Sequence, residues 1–245
     1  MTASIAREIL SLFFATFRRL FSERLRGSEI LNAISQIGLG SLPIIVIATA
    51  AAGLVVSNEI AWHMDQALHT VSMIPGFTGQ FILRELGIAV PALLLVAKAG
   101  AGITAEVGTM KITEQIDALR LLRIDPVSYL VVPRFVAFVF SSICLVLIAA
   151  SITLACAIGV AVHRYGFSLD EYLNALRHFV HYKDLVCAIT KGAVFGAVIP
   201  IISCAFGFRC EGGAEGVGSA TTNSVVTSTL AVIALDFGLT YLFTL

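Results

Sequence analysis

Charge is scarce in this chain of 245 residues. Asp, Glu, Lys and Arg together make up 13% of it, where an average soluble domain carries roughly 25%. With 58% hydrophobic residues and a mean hydropathy of +0.92, that scarcity excludes an ordinary soluble fold and indicates an integral membrane protein. No block of like charge occurs and the formal net charge is zero, so no nucleic-acid partner is implied. The chain has no GxxxxGK followed by Ser or Thr, which removes a P-loop nucleotide site. Its glycine-rich "GGAEGVG" has no strand before it and reads as a tight turn. The five cysteines (Cys144, Cys156, Cys187, Cys204, Cys210) lack framework or metal spacing and read as small apolar fillers. There is no His/Cys metal cluster and no Ser/His/Asp set. The five histidines (His63, His69, His163, His178, His181) fall in two outer loops, where solvated surface is the default. The N-terminal "MTASIAREILSLFFATFRRLFSERLRG" has no short apolar core ending in a small-residue cleavage site. It predicts an amphipathic helix lying on the membrane surface.

What the chain has in abundance is long apolar segments, and a bilayer is crossed by about 20 such residues. Five spans follow, over 39–62, 81–103, 133–163, 184–208 and 220–244. An interfacial helix is expected over 1–29, an outer surface helix over 168–181 and a polar helix over 105–125 between spans two and three. The fold expected is therefore an all-α integral membrane protein in one domain over 1–245. Lys and Arg concentrate on one side of five spans: Arg7, Arg18, Arg19, Arg24 and Arg26, then Lys98, Lys111, Arg120, Arg123 and Arg134, then Arg209. The other side has Arg164, Arg177 and Lys183. That asymmetry places the N-terminus and the 105–125 helix in the cytoplasm and the C-terminus outside.

Ionisable groups in hydrocarbon cost about 2.5 to 3.5 kcal/mol each on insertion scales, so each needs a reason. Asp236 lies about 20 Å in from the cytoplasmic start of span five at ~1.5 Å per residue. Lys191 reaches a similar depth from the other side, and Arg84 and Glu85 lie slightly shallower. The four sum to zero. One reading is an ion-pair cluster that fixes helix packing; the other is the polar rim of a cavity that touches a headgroup or passes motion between helices. Adjacent Arg84 and Glu85 cannot face one partner together. Small residues accompany them: Gly192 and Gly196 form a GxxxG pair and "ATAAAG" gives span one a small face, so close helix contact or a homodimer is expected. Val55, Val56 and Leu86 are expected as an apolar lining beside the charge rim.

In "EVGTMKITEQIDALRLLRIDP", Ile112, Ile116, Leu119 and Leu122 recur at spacings of four and three, one apolar stripe. Lys111, Glu114, Asp117, Arg120 and Arg123 mix signs along the other side. Asp125-Pro126 ends the helix, because a residue before proline disfavours helical backbone. Membrane-surface helices favour a basic polar face; a mixed face with an apolar stripe suits docking into a groove on a protein.

"LRELG", "AEVGTMKITEQIDAL", "IDPVSYLVVPRFVA", "KGAVFG", "GGAEGVGSATTNSVV" and "LDFGLT", in this order from Leu83 to the C-terminus, resemble the MlaE (YrbE) permease family. These are membrane subunits of MCE-associated ABC lipid transporters. The resemblance implies a homodimer in the inner membrane of a Gram-negative-type bacterium, moving phospholipid or a related lipid such as a sterol between inner and outer membranes. It implies cytoplasmic ABC ATPase subunits that consume ATP and Mg, so that this chain is a transport subunit without its own cofactor, metal or enzyme activity. It also implies a periplasmic MCE-domain protein and a STAS-domain subunit. Contact with the ATPase would fall to Glu106, Met110, Ile112, Glu114, Gln115, Ile116, Asp117, Leu119, Arg120 and Leu122, and Arg84, Glu85, Lys191 and Asp236 match functional membrane charges. The chain departs from the family pattern at Ile88, Lys98, Ala101, Ser219 and Asn223. A different class of function, a proton-coupled lipid transporter using Glu85 and Asp236, stays open from the residues alone, as does a structural anchor for an MCE protein.

Overall fold

A computed structural model describes residues 2–22, 27–68 and 73–244; Arg24, Arg26 and His69 lie outside them. Among the described residues there is no strand, and five helices are long and apolar enough to cross a membrane.

Helix α1 (Thr2–Ser22) is amphipathic because Leu10, Phe14, Phe17 and Phe21 recur at four, three and four residues; all four are at least half exposed. Of the interfacial helix expected over 1–29, the described part runs from Thr2 to Ser22, and 23–26 lie outside the described residues. From Gly27 the chain belongs to the first span: α2 (Gly27–Ile34) runs through a π turn (Ser35–Leu39) into α3 (Gly40–Leu68). The physical reason is that after Glu29 no charge interrupts the apolar run until Glu59.

The second run covers Ile74–Ile112, 39 residues. It is built from α4 (Ile74–Phe81), a π turn (Ile82–Leu86), α5 (Gly87–Leu95), a π turn (Val96–Gly100) and α6 (Ala101–Ile112). Proline clashes with the carbonyl four residues before it and lacks an N–H. A wider π turn precedes Pro43, Pro91 and Pro133, easing the ladder where each ring would crowd it.

The helix expected over 105–125 is two helices. α6 stops at Ile112, Glu114 takes a left-handed backbone (φ 58°), and α7 (Gln115–Leu121) follows, ended by a second left-handed residue, Arg123 (φ 59°). Left-handed backbone costs roughly 1–2 kcal/mol for a residue with a Cβ, so both breaks are held by their surroundings. A π turn (Val127–Val131) then leads into α8 (Val132–Tyr165). Helix α9 (Leu169–Phe179) starts at a capping box, Ser168 and Glu171 satisfying each other's main-chain N–H groups. α10 (Tyr182–Phe208) follows. α11 (Gly213–Thr244) begins seven residues before the expected span at 220, because the turn after α10 takes only residues 209–212, closed by the positive-φ Gly212 and Gly213 (φ 83° and 74°).

The chain folds into two compact units. One comprises Met1–Ser41, Leu93–Ser142 and Ala193–Leu235, the other Leu42–Ala92, Ile143–Gly192 and Asp236–Leu245. The first has a core of Val107, Ile116, Val131, Phe138, Phe195 and Ile199. In it, the buried Thr104 hydroxyl is placed to donate to the Gly100 and Ser203 carbonyls, each at 3.1 Å, and lies 2.8 Å from Ser224 Oγ, a polar contact among α6, α10 and α11. A Cβ on Gly196 would lie 2.8 Å from Val139 Cα. In the second unit Gly192 meets the Ile143 backbone, and Gly53 approaches the Thr153 carbonyl. The GxxxG glycines thus join α10 to α8 within one chain. On α9, Tyr172 is fully buried, its hydroxyl has no hydrogen-bond partner among the described residues, and burial pushes that phenol up to about 12.

Candidate functional site

The second unit gathers five ionisable side chains. Arg84 and Glu85 stand on the π turn Ile82–Leu86, Asp184 and Lys191 on α10, and Asp236 on α11. Lys191 is fully buried. Its ammonium donates to the Arg84 carbonyl at 2.7 Å and to Glu85 Oε1 at 3.2 Å. It also meets Asp236 Oδ1 at 2.7 Å as an ion pair, outside hydrogen-bond geometry. Glu85 Oε1 accepts a second bond from Thr240 at 2.7 Å. Lys191 is thus held by two carboxylates and a main-chain oxygen of the π turn, where the regular helical ladder is interrupted.

Arg84 turns the other way, as adjacency on a helix requires. Its Nε lies 2.8 Å from Asp184 Oδ1, and Nη2 donates to the Phe243 carbonyl at 3.4 Å. The expected neutral quartet is therefore two linked groups. Asp184, only 3% exposed, adds a third carboxylate, so two cations face three anions. Asp184 also accepts from the His181 N–H at 2.9 Å, at the start of α10. An aspartate in a helix's first turn is a common cap, which hides its second role, and Thr240 is one of many hydroxyls along α11.

Beside these groups is a cavity of about 280 Å³ lined by Phe77, Gln80, Phe81, Arg84, Glu85 and Thr240. Its lining combines the charged Arg84 and Glu85 with the aromatic Phe77 and Phe81. Val55, Val56 and Leu86 are not in its lining; Val55 is exposed on α3, and the other two are half-buried.

The segment between spans two and three belongs to the first unit, and its expected stripe divides. Ile116 is fully buried, so it packs within the chain and is closed to any partner. Ile112 and Leu119 are half-buried, whereas Leu122 is 71% exposed and Leu121, outside the stripe, 87%. The left-handed residue at 114 shifts the helical phase, which is why a stripe continuous in sequence is discontinuous in space. Glu114, Gln115 and Arg120 are exposed. Asp117 is 3.2 Å from both Lys111 and Arg120. Glu106 pairs with Arg134 at 2.7 Å, and both line a cavity of about 340 Å³ together with Met110. Of the departures, Ile88 is buried, Lys98 donates to the Gly40 carbonyl, Ala101 is half-buried, and Ser219 and Asn223 are exposed on α11. Among the described residues no three of His, Cys, Asp and Glu are placed to hold a metal ion.

The family described as Permease MlaE matches residues 30–242. A probable ABC transporter permease protein of Rickettsia felis is 34% identical, covering 95% of this chain and 90% of its own. One from Synechocystis is 32% identical over 96% and 90%. One from Porphyra purpurea is 35% identical over 89% and 82%.

Proposed function

Because the chain belongs to the MlaE permease family, whose relatives here are named as probable ABC transporter permeases, we propose that this ABC permease subunit moves phospholipid or a related lipid between inner and outer membranes. ATP and Mg are consumed in separate cytoplasmic ATPase subunits. The observation that supports the lipid reading is the cavity whose lining combines Arg84, Glu85 and Thr240 with Phe77 and Phe81. Phosphate and ammonium of a headgroup suit the charged side chains, and acyl chains suit the rings.

The working unit is a homodimer in the inner membrane, N-terminus cytoplasmic and C-terminus periplasmic. Val226, Leu230, Ile233, Phe237 and Tyr241 support this: they recur along α11 at four, three, four and four residues, and all are more than half exposed. The ATPase docks on exposed Glu114, Arg120, Leu121 and Leu122. An MCE-domain protein takes lipid at the periplasmic side, and a STAS-domain subunit joins the ATPase.

Purification of the tagged chain with its ATPase, followed by mass spectrometry of bound lipid and reconstitution, tests this. Bound lipid, and lipid transfer that needs ATP hydrolysis and is lost in Asp236→Asn without loss of assembly, are the results expected. Transfer driven by a proton gradient with no ATPase attached would instead establish a secondary transporter. Assembly with neither bound lipid nor transfer would leave only an anchor for the MCE protein.

A further inference from the structure

Helix α1 touches more than a bilayer surface. Its Arg19 Nη1 lies 2.8 Å from Asp125 Oδ2, and the same oxygen accepts the Ser128 N–H at 2.7 Å. The Asp125 carbonyl in turn accepts the Tyr129 N–H at 3.0 Å. Asp125 therefore caps the π turn that opens α8 while being tied to α1. Eleven residues earlier on α1, about 16 Å along the helix, Glu8 pairs with Arg209 of the α10–α11 turn at 3.4 Å. Between the two ties α1 packs on the Val127–Val131 turn, with Thr16 fully buried. All these residues belong to the first unit. On its other side α1 leaves Phe14, Phe17 and Phe21 exposed.

The connection that Asp125 anchors is unusual. Helix α7 is bracketed by two left-handed residues that are not glycine, Glu114 and Arg123. Such residues concentrate strain at a joint, so α7 is a short rigid element between two joints, and Asp125 lies two residues beyond the second. We infer that α1 is a strap, and that Arg19 is a positioning residue which, through Asp125, fixes the far joint of α7 and so ties the docking segment to the membrane surface. Displacement of α7 by a partner is then resisted at a defined point and passed to α1. The consequence for transport rests on the ATPase-driven reading above; the strap itself does not.

The test uses the full chain in lipid nanodiscs, with Arg19→Gln, Asp125→Asn, the double variant and Arg19→Lys. An asparagine side chain retains an oxygen for the Ser128 N–H, so Asp125→Asn removes the charge and leaves the cap. Hydrogen exchange of residues 115–124 is expected to quicken about threefold in each single variant, the size of a partly exposed ion pair. The double variant should be no faster than the singles, and Arg19→Lys near native. In the complex, ATP-driven transfer of a fluorescent phospholipid should fall in both singles while the ATPase stays bound. Unchanged exchange in the singles, exchange that adds in the double, or quickened exchange with full transfer would each overturn the strap. If the unmodified complex shows no ATP-driven transfer, the transport reading fails, and the exchange data still decide the strap.

Discussion

Replacing Lys191 by Met keeps the volume of the side chain and removes the one cation that Glu85 and Asp236 share, at 3.2 Å and 2.7 Å. The ammonium is fully buried, so no water replaces it. Removing one member of a buried charge pair costs about 3–5 kcal/mol, since the partner charge is left uncompensated. At about 2–4 °C per kcal/mol for a chain of this size, the midpoint of thermal unfolding should fall by roughly 6–20 °C. The control is Glu85→Gln/Lys191→Met/Asp236→Asn. Replacing a whole buried ion cluster by neutral groups of similar volume is often neutral in stability, so the triple variant should unfold within about 1 kcal/mol of the native protein. The assay is thermal unfolding of the purified protein in detergent, followed by tryptophan fluorescence and by size exclusion. A Lys191→Met variant as stable as native, or a triple variant as unstable as the single, would refute the reasoning. Transfer by the stable triple variant then separates the two roles: if it folds and does not transport, the charges act in transport, and if it transports they only hold helices.

Tyr172 carries a pH dependence. Its phenol titrates near 10 when unfolded and at about 12 when folded, so the native state holds the proton more tightly. Its contribution, about 2–3 kcal/mol, is fully present below pH 10 and is lost as the pH rises toward 12. Because the hydroxyl has no bonding partner among the described residues, Tyr172→Phe should leave neutral-pH stability unchanged and flatten the alkaline loss, read by urea unfolding across the alkaline range. On the docking segment, Leu122→Asp should weaken ATPase binding at least tenfold with little change in unfolding. Ile116→Asp, which buries a charge, should destabilise the chain by about 3 kcal/mol or more; equal effects of the two on stability would contradict the division of the stripe. Gly196→Ala forces a methyl against the Val139 backbone and should cost about 1–3 kcal/mol without changing the oligomeric state seen by mass photometry. A shift to monomers would return the GxxxG pair to a dimer role.

Much of the fold was legible because lipid imposes simple rules. Long apolar runs, some carrying isolated charges, gave the five spans, and the depth of each charge foretold that Lys191, Glu85 and Asp236 meet. Asp184 escaped because a helix-start aspartate already has a local explanation, and because its distance from Arg84, 100 residues in sequence, leaves no periodic trace. The two left-handed residues around α7 escaped for a different reason. Glycine or asparagine announces such backbone, whereas Glu114 and Arg123 sit in a pattern that continues a helical repeat through the break. The stripe of Ile112, Ile116, Leu119 and Leu122 thus mixed residues that pack inside with one that projects outward. Prolines at 43, 91 and 133 were visible, but the π turns before them are a response of the whole ladder.

Transfer of labelled phospholipid between vesicles, with the reconstituted permease and its ATPase on one side and the MCE-domain protein bridging to acceptor vesicles, tests the central claim most directly. Transfer that requires hydrolysable ATP and stops in the stable Glu85→Gln/Lys191→Met/Asp236→Asn variant is the predicted result. ATP hydrolysis with no lipid moved in either direction, or transfer at full rate by that variant, would contradict it.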